Sequence, residues 1–244
     1  MRKMRARHAV WLVLVLVLLG LIAIFVTNDV STALTEDDAA YAERVLRETG
    51  HGDLVGQKPA TSFGEQVNTI LAVQDAVLST APKNKGLPLG QPRELRDLYE
   101  AKRGLCYDRS RAIEKVLSHL GYEVRHAAVY STEDGSSPLK ALLKQKARSH
   151  AVTEVKTEHG WLVIDSNRRW IGLTSDGKPV ALGTLKDKSA EQAWDPRLQE
   201  GMSPILTGPY TYLYGLYSRH GRFYPPYTPV PDVDWGQIPY NVTG

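Results

Sequence analysis

The sequence predicts an α+β fold in which one helix packs on an antiparallel β-sheet, preceded by a single N-terminal transmembrane helix. Three observations carry that prediction. Between Cys106 and Leu120, the residues Ile113, Val116, Leu117 and Leu120 fall on one helical face. The segments Ser149–Thr157 and Trp161–Asp165 alternate apolar and polar residues on either side of Glu158-His159-Gly160, a hairpin signal. Val10 to Val26 is an apolar run without a charge.

The apolar run comes first in the chain. A bilayer core of ~30 Å needs ~20 helical residues, with ~17 near the lower limit. The apolar core of a cleaved signal peptide is usually shorter, ~7–15 residues. Ser31-Thr32-Ala33 resembles a cleavage site but sits late, so a retained anchor is the expectation and cleavage its alternative. Arg2, Lys3, Arg5 and Arg7 precede the run. Basic residues on that side stay in the cytoplasm and send the remainder across. The expected location is therefore the inner (cytoplasmic) membrane, with one pass and the C-terminal domain in the periplasm or outside the cell.

The domain plan follows: 1–9 a basic tail, 10–27 a signal-anchor, 28–40 a linker, 41–193 the core, and 194–244 a Tyr/Pro-rich segment packed on it. Helices are expected near Glu36–Glu48 and over Phe63–Leu78. A Pro- and Gly-rich loop follows at 81–92, then a short helix or turn at Arg93–Lys102. Gly121 is a natural stop for the helix that begins at Cys106. A strand is expected at Glu123–Tyr130, a turn-rich insertion at Ser131–Pro138 and a basic helical stretch at Leu139–Arg148. Further strands are expected at Trp170–Leu173 and Pro179–Leu182, around a turn at Asp176-Gly177.

Charge excludes one class of partner. The chain carries 30 basic and 27 acidic residues, a net charge of +3. Four of the basic residues and Asp29 lie in 1–29, leaving 26 of each sign beyond. The pI near 8.8 therefore describes the tail, and a neutral domain gives no broad electrostatic case for nucleic acid. The histidines lack paired spacing for a metal, and no glycine-rich phosphate loop follows a strand. No metal and no cofactor is expected. The single cysteine, Cys106, has no partner for an internal disulfide.

That cysteine lies in Gly104-Leu105-Cys106-Tyr107-Asp108, followed by Ser149-His150-Ala151-Val152-Thr153-Glu154-Val155 and by Trp161-Leu162-Val163-Ile164-Asp165. In that order, with fifteen residues from His150 to Asp165, the motifs resemble the transglutaminase-like superfamily of papain-fold cysteine enzymes, in a bacterial membrane-anchored form. The match runs over about Leu98–Trp170. It implies a papain/transglutaminase-like fold with Cys106, His150 and Asp165 as a catalytic triad.

The residues support the same reading on their own chemistry. A thiolate is favoured at a helix N-terminus beside an imidazolium, and a third group that orients the imidazole completes the arrangement. Asp108 in the first turn reads as supporting structure; the roles of Arg109 and Arg111 stay open. His119 suits the helix C-terminus, His126 is a second-choice base and His159 an exposed turn residue. The Cys106 backbone N–H would stabilise an oxyanion, with Gln74 or Gln91 as the side-chain donor and Gln74 the choice. Ser166-Asn167 stands where the family often has a proline.

Tyr107 and Trp170 are candidate substrate contacts. The Tyr/Pro-rich end reads first as packed aromatics, and second as a substrate groove joined by Trp170, Trp194 and Trp235. Three functions remain open. They are cleavage of an amide or peptide bond through a thioester, acyl transfer by the same triad, and a non-catalytic cell-envelope binding module. The partners implied are a peptide, protein or envelope substrate and, through the first helix, the membrane.

Overall fold

The computed structural model describes residues 2–88, 92–188, 193–198, 200–218 and 232–243. Helix α1 covers Arg2–Asn28, with Val10–Leu19, Leu21 and Ile22 all exposed. Of the span expected at 10–27, the side chains of 24–26 lie outside the described residues. Among the described residues no helix is long and apolar enough to cross a membrane.

Four helices build one layer: α2 (Glu36–Glu48), α3 (Phe63–Thr80), α4 (Leu95–Ala101) and α5 (Cys106–His119). Their starts are chemically marked. Thr35 accepts from the Asp38 N–H while Asp38 accepts from the Thr35 N–H, and Ser62 accepts from the Glu65 N–H. Such reciprocal caps satisfy N–H groups that a helix start leaves without partners. At the end of α5, Gly121 has φ +84°, and an added Cβ would lie 2.7 Å from Pro59 Cγ. Backbone and space both demand glycine there.

The second layer is an antiparallel sheet of β1 (Val124–Ser131), β2 (Ser149–Thr157), β3 (Gly160–Asp165) and β4 (Tyr210–Tyr214), in the order β3-β2-β1-β4. Helix α6 (Pro138–Leu143) fills the β1–β2 connection. Side chains alternate between the two faces. Val155, Leu162 and Ile164 join the core under α2–α5, whereas Val152 and Val163 join a second core with Trp170, Leu182 and Tyr214. Helix α7 (Leu182–Lys188) belongs to that second side. The short strands β5 (Leu216–Tyr217) and β6 (Asp232–Val233) pair with each other, and α8 (Tyr240–Thr243) ends the described chain.

Three expectations change. The segment from 194 does not merely pack on the core, because its β4 pairs with β1 from Ala127↔Tyr214 to Ser131↔Tyr210. The linker expected at 28–40 is laid against α5: Val30 is buried, Ser31 O accepts from Arg111, and Ala33 O accepts from Lys115 Nζ at 3.0 Å. Helix α2 also begins within it. The strands expected at Trp170–Leu173 and Pro179–Leu182 are reduced to bridges, Ile164↔Ile171 and Leu173↔Pro179. Pro179 has no N–H for a ladder.

Candidate active site

Helix α5 begins at Cys106, which is half-buried. Asp108 holds that start together: its Oδ2 accepts from Leu105 N–H at 2.9 Å and Leu87 N–H at 3.3 Å. Its Oδ1 receives Arg93 Nη1 at 2.6 Å. Arg93 balances the Asp108 charge, so the carboxylate anchors the turn without opposing an anion on the neighbouring sulfur. Cys106 packs against the cluster that contains Ala128, Tyr130 and Ala151, at the beginning of β2.

The hairpin supplies the other two groups. Val152 stands opposite Asp165, so His150, two residues before Val152, is a diagonal neighbour of Asp165 on the same face. Both side chains are buried, and His150 Nε2 lies 3.0 Å from Asp165 Oδ1. Cys106 is close enough to the imidazole to help hold its charge. With Nε2 committed to Asp165, Nδ1 is the nitrogen left for the sulfur. Burial alone would lower the His150 pKa, but the Asp165 charge, with further help from Cys106, pushes it up to about 10. Burial would raise Asp165, but the imidazolium and N–H donors from Asn167 and Ser203 hold it below its ordinary value.

Asp165 is the most heavily bonded group of the site. Oδ1 accepts from Asn167 N–H at 2.9 Å and Ser203 Oγ at 2.9 Å, and Oδ2 accepts from Ser203 N–H at 2.7 Å. Ser203 went unrecognised in the sequence. It lies 38 residues away, just before a 3-10 turn at Pro204–Leu206, and no motif surrounds it.

Gln74 is not an oxyanion donor. Its buried Nε2 is shared among Asp165 O at 2.7 Å, Arg168 O at 2.9 Å and Trp170 O at 2.7 Å. An amide has only two N–H bonds to give, and here they close the turn after Asp165. That turn needs no proline, because Ser166 Oγ also donates to Ala151 O at 2.6 Å. Gln91 lies outside the described residues. Trp170 is no substrate contact either: it is 1% exposed, edge-on to Trp194 in the second core. Tyr107 is half-buried beneath the Arg93 guanidinium, which is 5.0 Å from its ring centre; burial above all pushes its phenol up to about 12.

The three other histidines weighed in the sequence have structural places. His126 is fully enclosed, stacked on Tyr217 with its Nδ1 3.1 Å from Ser110 Oγ. Burial, then the Arg111 charge, lowers it to about 3, so it stays neutral and is no competing base. His119 approaches Glu43 at 3.9 Å, and His159 stacks on Phe63 in the exposed turn. Glu154 of the second motif is structural, paired with Arg125 at 2.7 Å inside the second core. Among the described residues no cluster of His, Cys, Asp and Glu could hold a metal ion. Of the Tyr/Pro-rich end, 219–231 lie outside the described residues; Tyr210, Tyr214 and Tyr217 are buried and Trp235 is exposed.

Comparison with known proteins adds little. No family model matches the chain, and no curated protein matches it. A solved structure from Cytophaga hutchinsonii, assigned provisionally as a cysteine protease, is similar at 15% identity and a TM-score of 0.36. The alignment covers 58% of this chain and 46% of that one, so this chain spans less than half of that protein's length. A likeness at that score carries no argument, and the functional reading rests on the site itself.

Proposed function

We propose that this protein is a cysteine hydrolase of the transglutaminase-like type that cleaves an amide or peptide bond through a thioester. The observation that carries the proposal is the buried His150 Nε2 3.0 Å from the Asp165 carboxylate, in an imidazole whose charge Cys106, the first residue of α5, helps to hold. Cys106 sulfur attacks the carbonyl carbon. The carbonyl oxygen becomes an oxyanion, stabilised by the Cys106 N–H at the helix start. His150, cationic beside Asp165, delivers its proton to the leaving amine as the C–N bond breaks. Water then attacks the thioester, giving up a proton to His150, and the thiolate is released. If an amine takes the place of water, the product is a new amide. Acyl transfer therefore uses the same groups, and the acceptor decides between them. A binding module has no chemical requirement for an imidazole fixed between a thiol and a fully engaged carboxylate.

The test is the rate of Cys106 alkylation by iodoacetamide against pH. The native protein should be alkylated faster than N-acetylcysteine at pH ~6–7, and His150→Ala should lose that advantage. A thiol indifferent to His150 in a folded protein would refute the proposal. Export and tethering through residues 10–27 belong to the same reading. The full chain should sediment with membranes and resist carbonate extraction, while residues 34–244 should not; release of the full chain by carbonate would rule out an integral anchor.

A further inference from the structure

A groove of about 620 Å³ adjoins Asp165, and Arg109, Arg168, Arg169, Asn84, Asn167 and Ser203 are among the residues that line it. Cys106, His150 and Asp165 do not line it, but it borders them: Asn167 and Ser203 both donate to Asp165, and Arg109 lies one helical turn beyond Cys106. Among the described residues no carboxylate lines the groove. Arg169 is satisfied by Asp75 at 2.6 Å. Arg168 has Glu200 only at 3.9 Å, with half of its side chain exposed.

Arg109 differs from both. It is 4% exposed, and its hydrogen bonds go only to neutral oxygens: Ala81 O at 3.0 and 2.9 Å, Asn167 Oδ1 at 2.8 Å and Asn84 Oδ1 at 3.4 Å. The adjacent Asp108 is already taken by Arg93. A buried guanidinium without a paired carboxylate is costly to keep, and these four bonds hold it rigidly at the groove. Burial lowers its pKa, and the Cys106 and Asp108 charges oppose that.

We propose that this groove is a carboxylate subsite, with Arg168 at its mouth and Arg109 at its base, so that the substrate is a peptide bearing an Asp or Glu side chain beside the bond attacked. Arg168, whose Glu200 neighbour is 3.9 Å away, presents the planar guanidinium that matches a carboxylate, while Arg109, with four of its five N–H bonds already given, contributes charge at the base. The inference rests on the Cys106 chemistry proposed above.

The test uses two alkylating agents of nearly equal size on the full chain, anionic iodoacetate and neutral iodoacetamide, with N-acetylcysteine as the free-thiol reference. The ratio of iodoacetate to iodoacetamide rates should exceed that of the reference. Arg168→Gln, a change at an exposed side chain, should lower the ratio about twofold to fivefold, the scale of one exposed charge. Arg47→Gln, an exposed substitution on α2, should alter neither rate. A ratio that survives Arg168→Gln overturns the subsite, as does a ratio equal to the reference. In both cases an iodoacetamide rate dependent on His150 leaves the cysteine chemistry standing. An iodoacetamide rate indifferent to His150→Ala overturns both.

Discussion

Asp165→Asn is expected to slow Cys106 alkylation at pH 6 by about tenfold or more and to destabilise the fold by about 3–5 kcal/mol. Both effects follow from the bonding of the carboxylate. Oδ1 receives His150, Asn167 N–H and Ser203 Oγ, and Oδ2 receives Ser203 N–H. Asparagine has one oxygen to offer, so its NH2 must face at least one backbone donor in either orientation, and that donor loses its acceptor beside a buried side chain. The imidazolium also loses its counter-charge. His150 then falls from about 10, and the imidazolium that supports the sulfur anion is lost. For amide cleavage the loss should approach the ~10⁴-fold in kcat seen when a triad aspartate becomes asparagine.

The same pair predicts a pH signature. Asp165 has a lowered folded pKa, so its contribution is complete above its unfolded value near ~3.9 and is lost in acid. His150 has a raised folded pKa, so its contribution is complete below ~6.5 and is lost as pH rises through about 10. The difference in Tm between native protein and Asp165→Asn should be widest between pH ~4 and ~6.5 and narrow towards pH 10. What remains at pH 10 measures the orphaned donor. A difference that stays constant from pH 6 to 10 would show that His150 is not held protonated by Asp165.

The second large effect lies outside the reacting groups. Glu154→Ala is expected to lower stability by about 3–5 kcal/mol, or roughly 6–20 °C in Tm for a domain of this size. Glu154 is buried, accepting from Arg125 Nε at 2.7 Å, Tyr214 Oη at 2.6 Å and the Leu182 N–H. The Arg125 guanidinium is enclosed by Trp161 and Tyr214, each at 4.1 Å, and Tyr240 at 5.0 Å. Burial, then the Glu154 charge, drives the Tyr214 phenol upward, keeping it a proton donor to the carboxylate. Removing Glu154 leaves a cation, a hydroxyl and an N–H buried without their acceptor. Adding Arg125→Met should recover part of the loss, because the aromatic box then holds an apolar chain. A double variant as unstable as the sum of the two single variants would show that the residues are not coupled. Alkylation of Cys106 should be little changed below the melting transition, separating this core from the site.

Much of the site was legible because its signals are one-dimensional. The helix from Cys106 and the hairpin ending at Asp165 follow from periodicities of 3.6 and 2, which need no knowledge of what each element packs against. Their ends were right to within a residue or two, since Gly121 and Glu158-His159-Gly160 are chain-local punctuation. The antiparallel hairpin then placed His150 and Asp165 on one face.

What the tertiary structure alone decided depends on separations that no local pattern records. Gln74 reaches the Asp165 carbonyl across 91 residues, Ser203 meets the carboxylate across 38, and Tyr214 finds Glu154 across 60. Trp170 reads as a substrate contact, and Tyr214 as part of a segment packed on the core, until β4 pairs with β1 and a second core closes over that face. The polar stretch after α1 reads as a tether until Arg111 and Lys115 on α5 take its carbonyls. In each case the side chain's role is set by which donor, acceptor or cavity happens to face it once the layers are packed. Sequence determined where the thiol, imidazole and carboxylate stand along the chain; packing determined what surrounds them, because desolvation and hydrogen-bond supply are properties of the assembled interior.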